Sequence, residues 1–166
     1  LILVIVYGAL RRTEVASLDV EDIRPLGRHW VLDLPVSTQP LGGYVRIPDA
    51  VAEQVQQLAD RYGADGGPLW RSFSNRNRGE RLTPDALYKI VRRVGQQAGI
   101  DALSIDVLRR SGLRLASAGG ASLDQLRQHA RLQTPASTAK YAVEDGDGRL
   151  SSTVSDRIPL TLDPGS

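Results

Sequence analysis

An arginine pair and a tyrosine in this sequence have the chemistry needed to hold and attack a phosphate. Arg109 and Arg110 are expected near the start of a helix, and Tyr141 follows about thirty residues later, after a turn rich in Ser and Thr. A guanidinium group near a helix N-terminus can hold a phosphate through paired hydrogen bonds, and free backbone N–H groups help. A tyrosine hydroxyl placed beside that phosphate can act as a nucleophile. These residues indicate a phosphate site, which would need a second cation, a general acid and a surface that fits DNA.

A further arginine, Arg11, lies where the opening apolar helix is expected to break. Residues 1 to about 18 have the pattern of one buried helix interrupted near Gly8, and Thr13 is a candidate cap for its second part. Arg11 is therefore expected at the junction, pointing off the apolar face. Glu14, three residues later, is an available partner for it. The alternative interpretation is a surface arginine in contact with solvent.

The composition is that of one globular domain. The chain has 166 residues, 41% of them apolar, and neither cysteine nor methionine. A disulfide framework and a thiolate metal site are excluded, and His29 and His129 are too far apart in sequence to suggest a metal centre. The apolar run at residues 1–7 is too short to span a bilayer and lacks the features of a signal peptide. We expect a cytoplasmic protein without a membrane partner, and a fragment of a longer chain because the sequence starts directly on a core helix.

The basic residues are mostly arginine and are clustered, although the net charge is only +2. Lys89 and Lys140 are the only lysines among the 21 basic residues. Arginine suits phosphate and base recognition, and it is also what a GC-rich genome tends to encode. The clustering predicts a basic face that contacts DNA. The candidate contacts are Arg12, Arg76, Arg78, Arg81, Arg92, Arg93 and Arg110.

The pattern of the chain predicts an α+β fold that is mainly helical. Alternating apolar runs at 30–36 and 44–48 predict a small antiparallel sheet with an irregular hairpin, placed between the first helices and the later ones. Trp70 and Phe73 are expected in the core. Further helices are predicted at 49–62 with Asp49 as cap, from Thr83 to about 99 with Pro84 in the first position, at 106–117, at 122 to about 132, and in a short turn of helix around Tyr141.

Taken in order, these features resemble the catalytic domain of tyrosine recombinases, the family of phage integrases and chromosome-dimer resolvases. Residues 9–15, Ala-Leu-Arg-Arg-Thr-Glu-Val, are similar to the family's first arginine box. Residues 108–112, Leu-Arg-Arg-Ser-Gly, are similar to its second arginine box, and residues 134–141, Thr-Pro-Ala-Ser-Thr-Ala-Lys-Tyr, to its nucleophile box. The resemblance covers residues 1 to about 143. It leaves residues 144–166 as a tail that packs either on its own domain or on a neighbouring protomer.

The resemblance implies site-specific DNA recombination without a metal, a cofactor or an external energy source. Arg11 and Arg109 would clamp the non-bridging oxygens of a DNA phosphate, and Tyr141 would attack phosphorus to give a 3′-phosphotyrosyl link and a free 5′-hydroxyl. The implied partners are double-stranded DNA and further copies of the chain, which form a tetramer on DNA and a monomer or weak dimer without it. The family's N-terminal DNA-clamping domain is absent from this sequence, and the implied location is the bacterial nucleoid.

The sequence departs from the family at three active-site positions. Asp106 stands where a histidine opens the second arginine box, and Leu132 stands nine residues before the tyrosine, where the family has a histidine or tryptophan. His129 and Arg131 are the nearest candidates to replace it. The general-acid lysine belongs in the sheet turn, but residues 37–43 contain no lysine. Without a general acid, we expect the departure of the 5′ oxygen to slow by about 10²–10⁴-fold.

Two functional hypotheses of different classes remain open. The first is a recombinase or integrase that cleaves and rejoins DNA. The second is a catalytically impaired relative that binds DNA or a partner recombinase without cutting. A third interpretation is a helical domain whose arginines are solvated and whose motif match is accidental.

Overall fold

The computed structural model describes residues 1–34, 43–62, 66–132 and 158–159. In these ranges the chain forms a helical domain with one small sheet. The elements in chain order are α1 (Ile2–Gly8), α2 (Arg12–Ser17), a 3₁₀ turn (Val20–Asp22), β1 (Ile23–Leu26), β2 (His29–Leu34), β3 (Gly43–Ile47), α3 (Asp49–Arg61), α4 (Pro84–Gln97), α5 (Ile105–Ala118) and α6 (Leu123–His129). Within these ranges, no helix combines the length and apolar character that crossing a bilayer requires.

The core is built around the contact between α1 and α5. Ile5 and Tyr7 of α1 and Leu113 of α5 are almost fully buried. Gly112 permits the close approach of the two helices, because a Cβ atom there would overlap with the carbonyl oxygen of Val6. The glycine of the second arginine box therefore has a packing role, and it brings Arg109, one turn earlier, next to the end of α1.

The sheet is antiparallel in the order β1-β2-β3. Leu32 of β2 lies opposite Ile23 of β1 and Val45 of β3, and all three side chains are buried. The predicted hairpin between β2 and β3 is confirmed at its two strands, whereas its turn, residues 35–42, lies outside the described residues. The sequence did not predict β1, because Pro25 in so short a run argues against a strand. Proline is tolerated in a strand at the edge of a sheet, and β1 lies at such an edge.

Helix starts fixed by side-chain caps agree best with prediction. Thr83 caps α4 by accepting from the backbone N–H of Ala86, with Pro84 in the first position, and Ser122 caps α6 in the same way. Two predicted caps are wrong. Thr13 is exposed inside α2, whose N-cap is Arg11, and Asp49 is the first residue of α3 rather than its cap.

Phe73 is 64% exposed, so its predicted place in the core is wrong. The loop that carries it closes on itself through backbone hydrogen bonds from Ser72 to Glu80 and from Gly79 to Ser72, which hold Phe73 away from the core. Its ring instead meets Tyr62 edge-on, with 5.1 Å between centroids. Trp70 is buried, as predicted.

Two residues of the C-terminal tail lie against the domain. Ile158 is buried, and the hydroxyl of Tyr7 donates a hydrogen bond to the carbonyl oxygen of Pro159 at 3.2 Å. The rest of the tail lies outside the described residues, and so do residues 133–143, which include Tyr141 and its predicted helical turn.

Candidate functional site

Arg11 occupies the junction between α1 and α2, as predicted. Ala9 ends α1 with a left-handed backbone (φ 45°), and Arg11 then starts α2 in an extended conformation. The backbone N–H of Arg11 donates to Oε2 of Glu14 at 2.6 Å, which closes the first turn of α2. Its half-buried side chain donates from Nη2 to the carbonyl oxygen of Arg131 at 2.7 Å. The guanidinium of Arg11 therefore turns toward the C-terminal end of α6.

Arg109 reaches the same place from the opposite side. Its side chain lies on the inner face of α5 and the residue is only 6% exposed. Nη1 donates to the carbonyl oxygen of Ala9, and Nη2 donates to that of Ala130. Arg11 and Arg109 thus contact consecutive carbonyl groups at the end of α6, although they are far apart in the sequence.

The structure adds Arg131 as a third buried arginine, paired with Glu14. Nε and Nη2 of Arg131 contact the two carboxylate oxygens of Glu14 at 3.0 and 2.6 Å, and the side chains of the pair are 3% and 0% exposed. Burial alone would raise the pKa of Glu14. The hydrogen bonds and charge of Arg131, the N–H of Arg11 and the charge of Arg109 together hold that pKa below its ordinary value. Glu14 is therefore the ionised counter-charge of this group, which we call the inner arginine cluster: Arg11, Arg109, Arg131 and Glu14.

The inner arginine cluster lies where the C-terminal ends of α1 and α6 meet. The carbonyl groups at a helix C-terminus have no partner within the helix and carry partial negative charge. In this structure they accept from arginines: the acceptors are the carbonyls of Gly8, Ala9, His129, Ala130 and Arg131. The cluster has three positive charges and one negative charge, so it retains an excess of positive charge that suits a phosphate.

His129 is held in its neutral form beside this cluster. Its Nε2 lies 2.8 Å from the carbonyl oxygen of Tyr7, and because a carbonyl can only accept, Nε2 carries the proton. Burial, with the nearby charges of Arg131 and Arg109, lowers the pKa of His129 to about 4, although the hydrogen bond to Tyr7 opposes this change. His129 is therefore a neutral imidazole at pH 7 and adds no positive charge to the site.

The two residues at the positions where the resemblance predicted histidines do not join the cluster. Asp106 is exposed in the first turn of α5, and within the described ranges it forms no ion pair with Arg109 or Arg110. A carboxylate there is favourable for the helix N-terminus but contributes no positive charge. Leu132 is half-buried and packs against the core. Of the two predicted substitutes for that position, the structure brings Arg131 into the cluster, while His129 turns toward α1.

The predicted DNA-contacting arginines, which we call the outer arginines, fall into two sets. Arg12 pairs with Asp85 and lies over the ring of Tyr88, at 5.5 Å from its centroid. Arg81 pairs with Asp19 and donates to carbonyl oxygens at the end of α2, and Arg92 donates to a carbonyl oxygen in the loop before α5. The other outer arginines are exposed and have no side-chain partner among the described residues: Arg76, Arg78, Arg93 and Arg110.

The position of Glu14 in the sequence is itself a sign of a buried ion pair. Glu14 recurs at helical spacing with Leu10, Val15 and Leu18 along the sequence, and all four are buried. A carboxylate on a buried face needs a buried cation or several donors. The sequence does not say which arginine that cation is, because Arg131 lies 117 positions away.

Three solved structures share this architecture at low sequence identity. They are the XerA recombinase (TM-score 0.71, 19% identity, 86% of this chain and 50% of that one), the XerH site-specific recombinase bound to its difH substrate (0.68, 18%, 87% and 42%) and the Tn1549 transposon integrase in complex with circular intermediate DNA (0.63, 17%, 87% and 55%).

The chain spans about half the length of these proteins. No protein-family model matches the sequence, and no curated protein does. The structural likenesses nevertheless agree with the mainly helical α+β architecture that the sequence predicted. The chain has the fold of the catalytic domain of tyrosine recombinases.

Proposed function

We propose that this domain carries out site-specific DNA recombination by cleaving and rejoining DNA strands. The observation that carries the proposal is the convergence of the two arginine boxes. Arg11 and Arg109 donate to adjacent carbonyl groups of one helix end, so their guanidinium groups share one small region. Two neighbouring guanidinium groups can contact the two non-bridging oxygens of a phosphodiester and stabilise the charge that develops on them.

The proposed reaction takes place at Tyr141. Its Oη attacks phosphorus, the bond to the 5′ oxygen breaks, and the products are a 3′-phosphotyrosyl link and a DNA 5′-hydroxyl. The proton lost by Tyr141 is balanced by the proton that the 5′ oxygen gains. The ester keeps the energy of the broken bond, so rejoining to another 5′-hydroxyl needs no further energy source.

The proposed partners are double-stranded DNA and other copies of the chain. Two of the similar structures are complexes with DNA, which supports DNA as the partner here. The exposed outer arginines supply donors for phosphate contacts. We propose that residues 1–143 form the catalytic domain and that a tetramer assembles on DNA, where residues outside 158–159 of the tail reach a neighbouring protomer.

A DNA-binding protein that does not cleave is the second candidate. The observation that favours it is the replacement of two expected histidines by Asp106, which is exposed, and Leu132, which packs against the core. Leu132 has no proton to donate to a leaving oxygen, and Asp106 lies exposed in the first turn of α5, outside the inner arginine cluster. In this alternative, the inner arginine cluster binds a phosphate without activating it.

A nicked suicide substrate separates the two candidates. The protein is incubated with duplexes selected from a random pool for binding, each carrying a nick beside the candidate cleavage position so that the leaving strand diffuses away. A covalent protein–DNA complex that is lost in Tyr141→Phe supports recombination. Tight, salt-sensitive binding without a covalent complex supports the second candidate. Absence of DNA binding at low salt would rule out both, because phosphate contacts make affinity strongly salt-dependent.

A further inference from the structure

Arg131 adopts a backbone conformation that is unusual for a residue with a side chain. Its φ is 56°, and it follows α6 in a turn closed by two hydrogen bonds, from the N–H of Arg131 to Gln128 and from the N–H of Leu132 to Arg127. Glycine usually occupies this left-handed position after a helix, because a Cβ atom is unfavourable there. Something must compensate for placing an arginine in this turn.

The side chain of Arg131 supplies that compensation by using all of its donors. Nε donates to Glu14, Nη1 donates to the carbonyl oxygens of Gly8 and His129 at 3.2 and 2.6 Å, and Nη2 donates to Ala9 and Glu14 at 2.8 and 2.6 Å. A guanidinium has five N–H donors, so none remains for a substrate. Its charge is also matched by that of Glu14 at almost no exposure to solvent. Arg131 is therefore not a third phosphate clamp.

What Arg131 does hold is the pair of carbonyl groups that orient the other two arginines. Its own carbonyl oxygen accepts from Nη2 of Arg11, and the carbonyl oxygen of the preceding residue, Ala130, accepts from Nη2 of Arg109. The side chain of Arg131 ties this turn to the end of α1 and to Glu14 in α2. The turn, and with it both acceptors, is thereby fixed relative to the helices that carry Arg11.

We propose that Arg131 is a positioning residue that sets the orientation of Arg11 and Arg109 through the turn after α6. The proposal rests on the proposed function, because that function gives Arg11 and Arg109 a phosphate to hold. A positioning role and a simple charge effect of Arg131 predict different results when lysine replaces it. Lysine would keep the positive charge but has no planar fork for Glu14 and too few donors for all five contacts.

The direct test is nuclear magnetic resonance of the arginine guanidinium groups in the whole chain. A fixed guanidinium gives separate Nη signals, whereas free rotation averages them. In the wild-type protein we expect Arg11 and Arg109 to show separate signals and the exposed Arg28 to show averaged ones. In Arg131→Lys we expect the signals of Arg11 and Arg109 to average. Averaged signals in the wild-type protein, or separate signals that persist in Arg131→Lys, would overturn the proposal.

The second readout is the split between DNA binding and covalent-complex formation. We expect Arg131→Lys to slow the covalent step at saturating DNA by about 10–100-fold, as small misplacements of catalytic groups do, while its DNA affinity changes by less than about 3-fold. Arg28→Lys, on the turn between β1 and β2, is the matched control and should change neither. An unchanged covalent rate in folded Arg131→Lys contradicts positioning.

A double variant covers the case in which Arg131→Lys does not fold. Arg131→Gly with Glu14→Gln removes both buried charges and places glycine where the left-handed turn favours it. We expect it to fold and still to release the signals of Arg11 and Arg109; retained separate signals would overturn the proposal. If the wild-type protein forms no covalent complex, the proposed reaction fails, but the guanidinium signals still decide whether Arg131 orients the other two.

Discussion

The inner arginine cluster and the outer arginines use the same side chain in opposite ways. In the inner cluster, carbonyl groups at two helix ends and one buried carboxylate accept from the guanidinium groups, so their positions are set by the fold. Among the outer arginines, Arg93 and Arg110 are exposed and have no side-chain partner within the described residues. The comparison shows that arginines of the same chain differ in whether the fold holds their guanidinium groups in place. Where the fold supplies an acceptor, the guanidinium group is held in one orientation. Where it supplies none, the exposed arginine can attract a phosphate from solution.

The largest effect that this comparison predicts is on stability, at the Glu14–Arg131 pair. Glu14→Ala leaves the buried Arg131 without its counter-charge, and we expect the free energy of unfolding to fall by about 3–5 kcal/mol. Glu14→Leu combined with Arg131→Met removes both charges and should recover most of that loss. Urea unfolding of the single and double variants measures both. A loss below about 1 kcal/mol in Glu14→Ala would show that the inner pair behaves like a surface pair.

The second effect is a loss of stability in acid, which comes from His129. Its pKa falls from the ordinary value of 6.5 to about 4 in the folded protein, so the unfolded chain binds more protons between these values. The stabilising contribution is complete above pH 6.5 and is lost as the pH falls toward about 4. It amounts to roughly 3 kcal/mol at most, and less to the extent that solvent reaches this half-buried side chain.

Unfolding measured across this pH range tests the contribution of His129. His129→Gln keeps an N–H donor for Tyr7 but does not titrate, so its stability should vary less between pH 6.5 and 4. Glu14 acts in a lower window, because its pKa is held below 4.5 and its contribution is lost only as the pH falls through that lowered value. Equal pH dependence in His129→Gln and the wild-type protein would contradict the assignment.

The sequence predicted those features whose causes are local. Thr83 with Pro84 starts α4 because a hydroxyl cap and a fixed φ act within one turn of helix. The order of the arginine boxes predicted the fold, which the structural likenesses confirm. The sequence did not predict how the arginines of the inner cluster meet at the end of α6. Their acceptors there are backbone carbonyl groups, which every residue has, so no residue type in the sequence marks them.

The sequence did not identify the partners that long-range packing selects. Glu14 was expected as an available partner of Arg11, and it does accept from the backbone N–H of Arg11, but its charged partner is Arg131. Arg81 stays a predicted DNA contact, and its guanidinium already donates to carbonyl oxygens at the end of α2. In both cases the residue type indicated a charged contact but did not identify the partner, because tertiary packing selects the partner. The role of Tyr141 stays a prediction, because that residue lies outside the described ranges.

The third predicted effect separates the two sets of outer arginines by salt dependence. Arg93→Ala and Arg110→Ala should each weaken DNA binding and reduce the slope of log affinity against log salt by about 1, because each removes one phosphate contact. Arg81→Ala should change that slope much less and lower stability instead, because its guanidinium already pairs with Asp19. Binding titrations at several salt concentrations measure the slopes. Equal slopes for Arg93→Ala and Arg81→Ala would mean that an existing acceptor does not withdraw an arginine from DNA.

The smallest predicted effect is at the exposed pair of Arg12 with Asp85. The two side chains are 42% and 80% exposed, so solvent screens their attraction, in contrast to the pair of Arg131 with Glu14. A double-mutant cycle of Arg12→Ala and Asp85→Ala should give a coupling of about 0.2–1 kcal/mol, and added salt should reduce it. A coupling that matches the inner pair and does not change with salt would show that burial is not what distinguishes the two regions. A coupling within the expected range would mean that Arg12 can exchange Asp85 for a DNA phosphate at little cost in free energy. Arg131 cannot, because separating it from Glu14 would leave a buried charge unpaired.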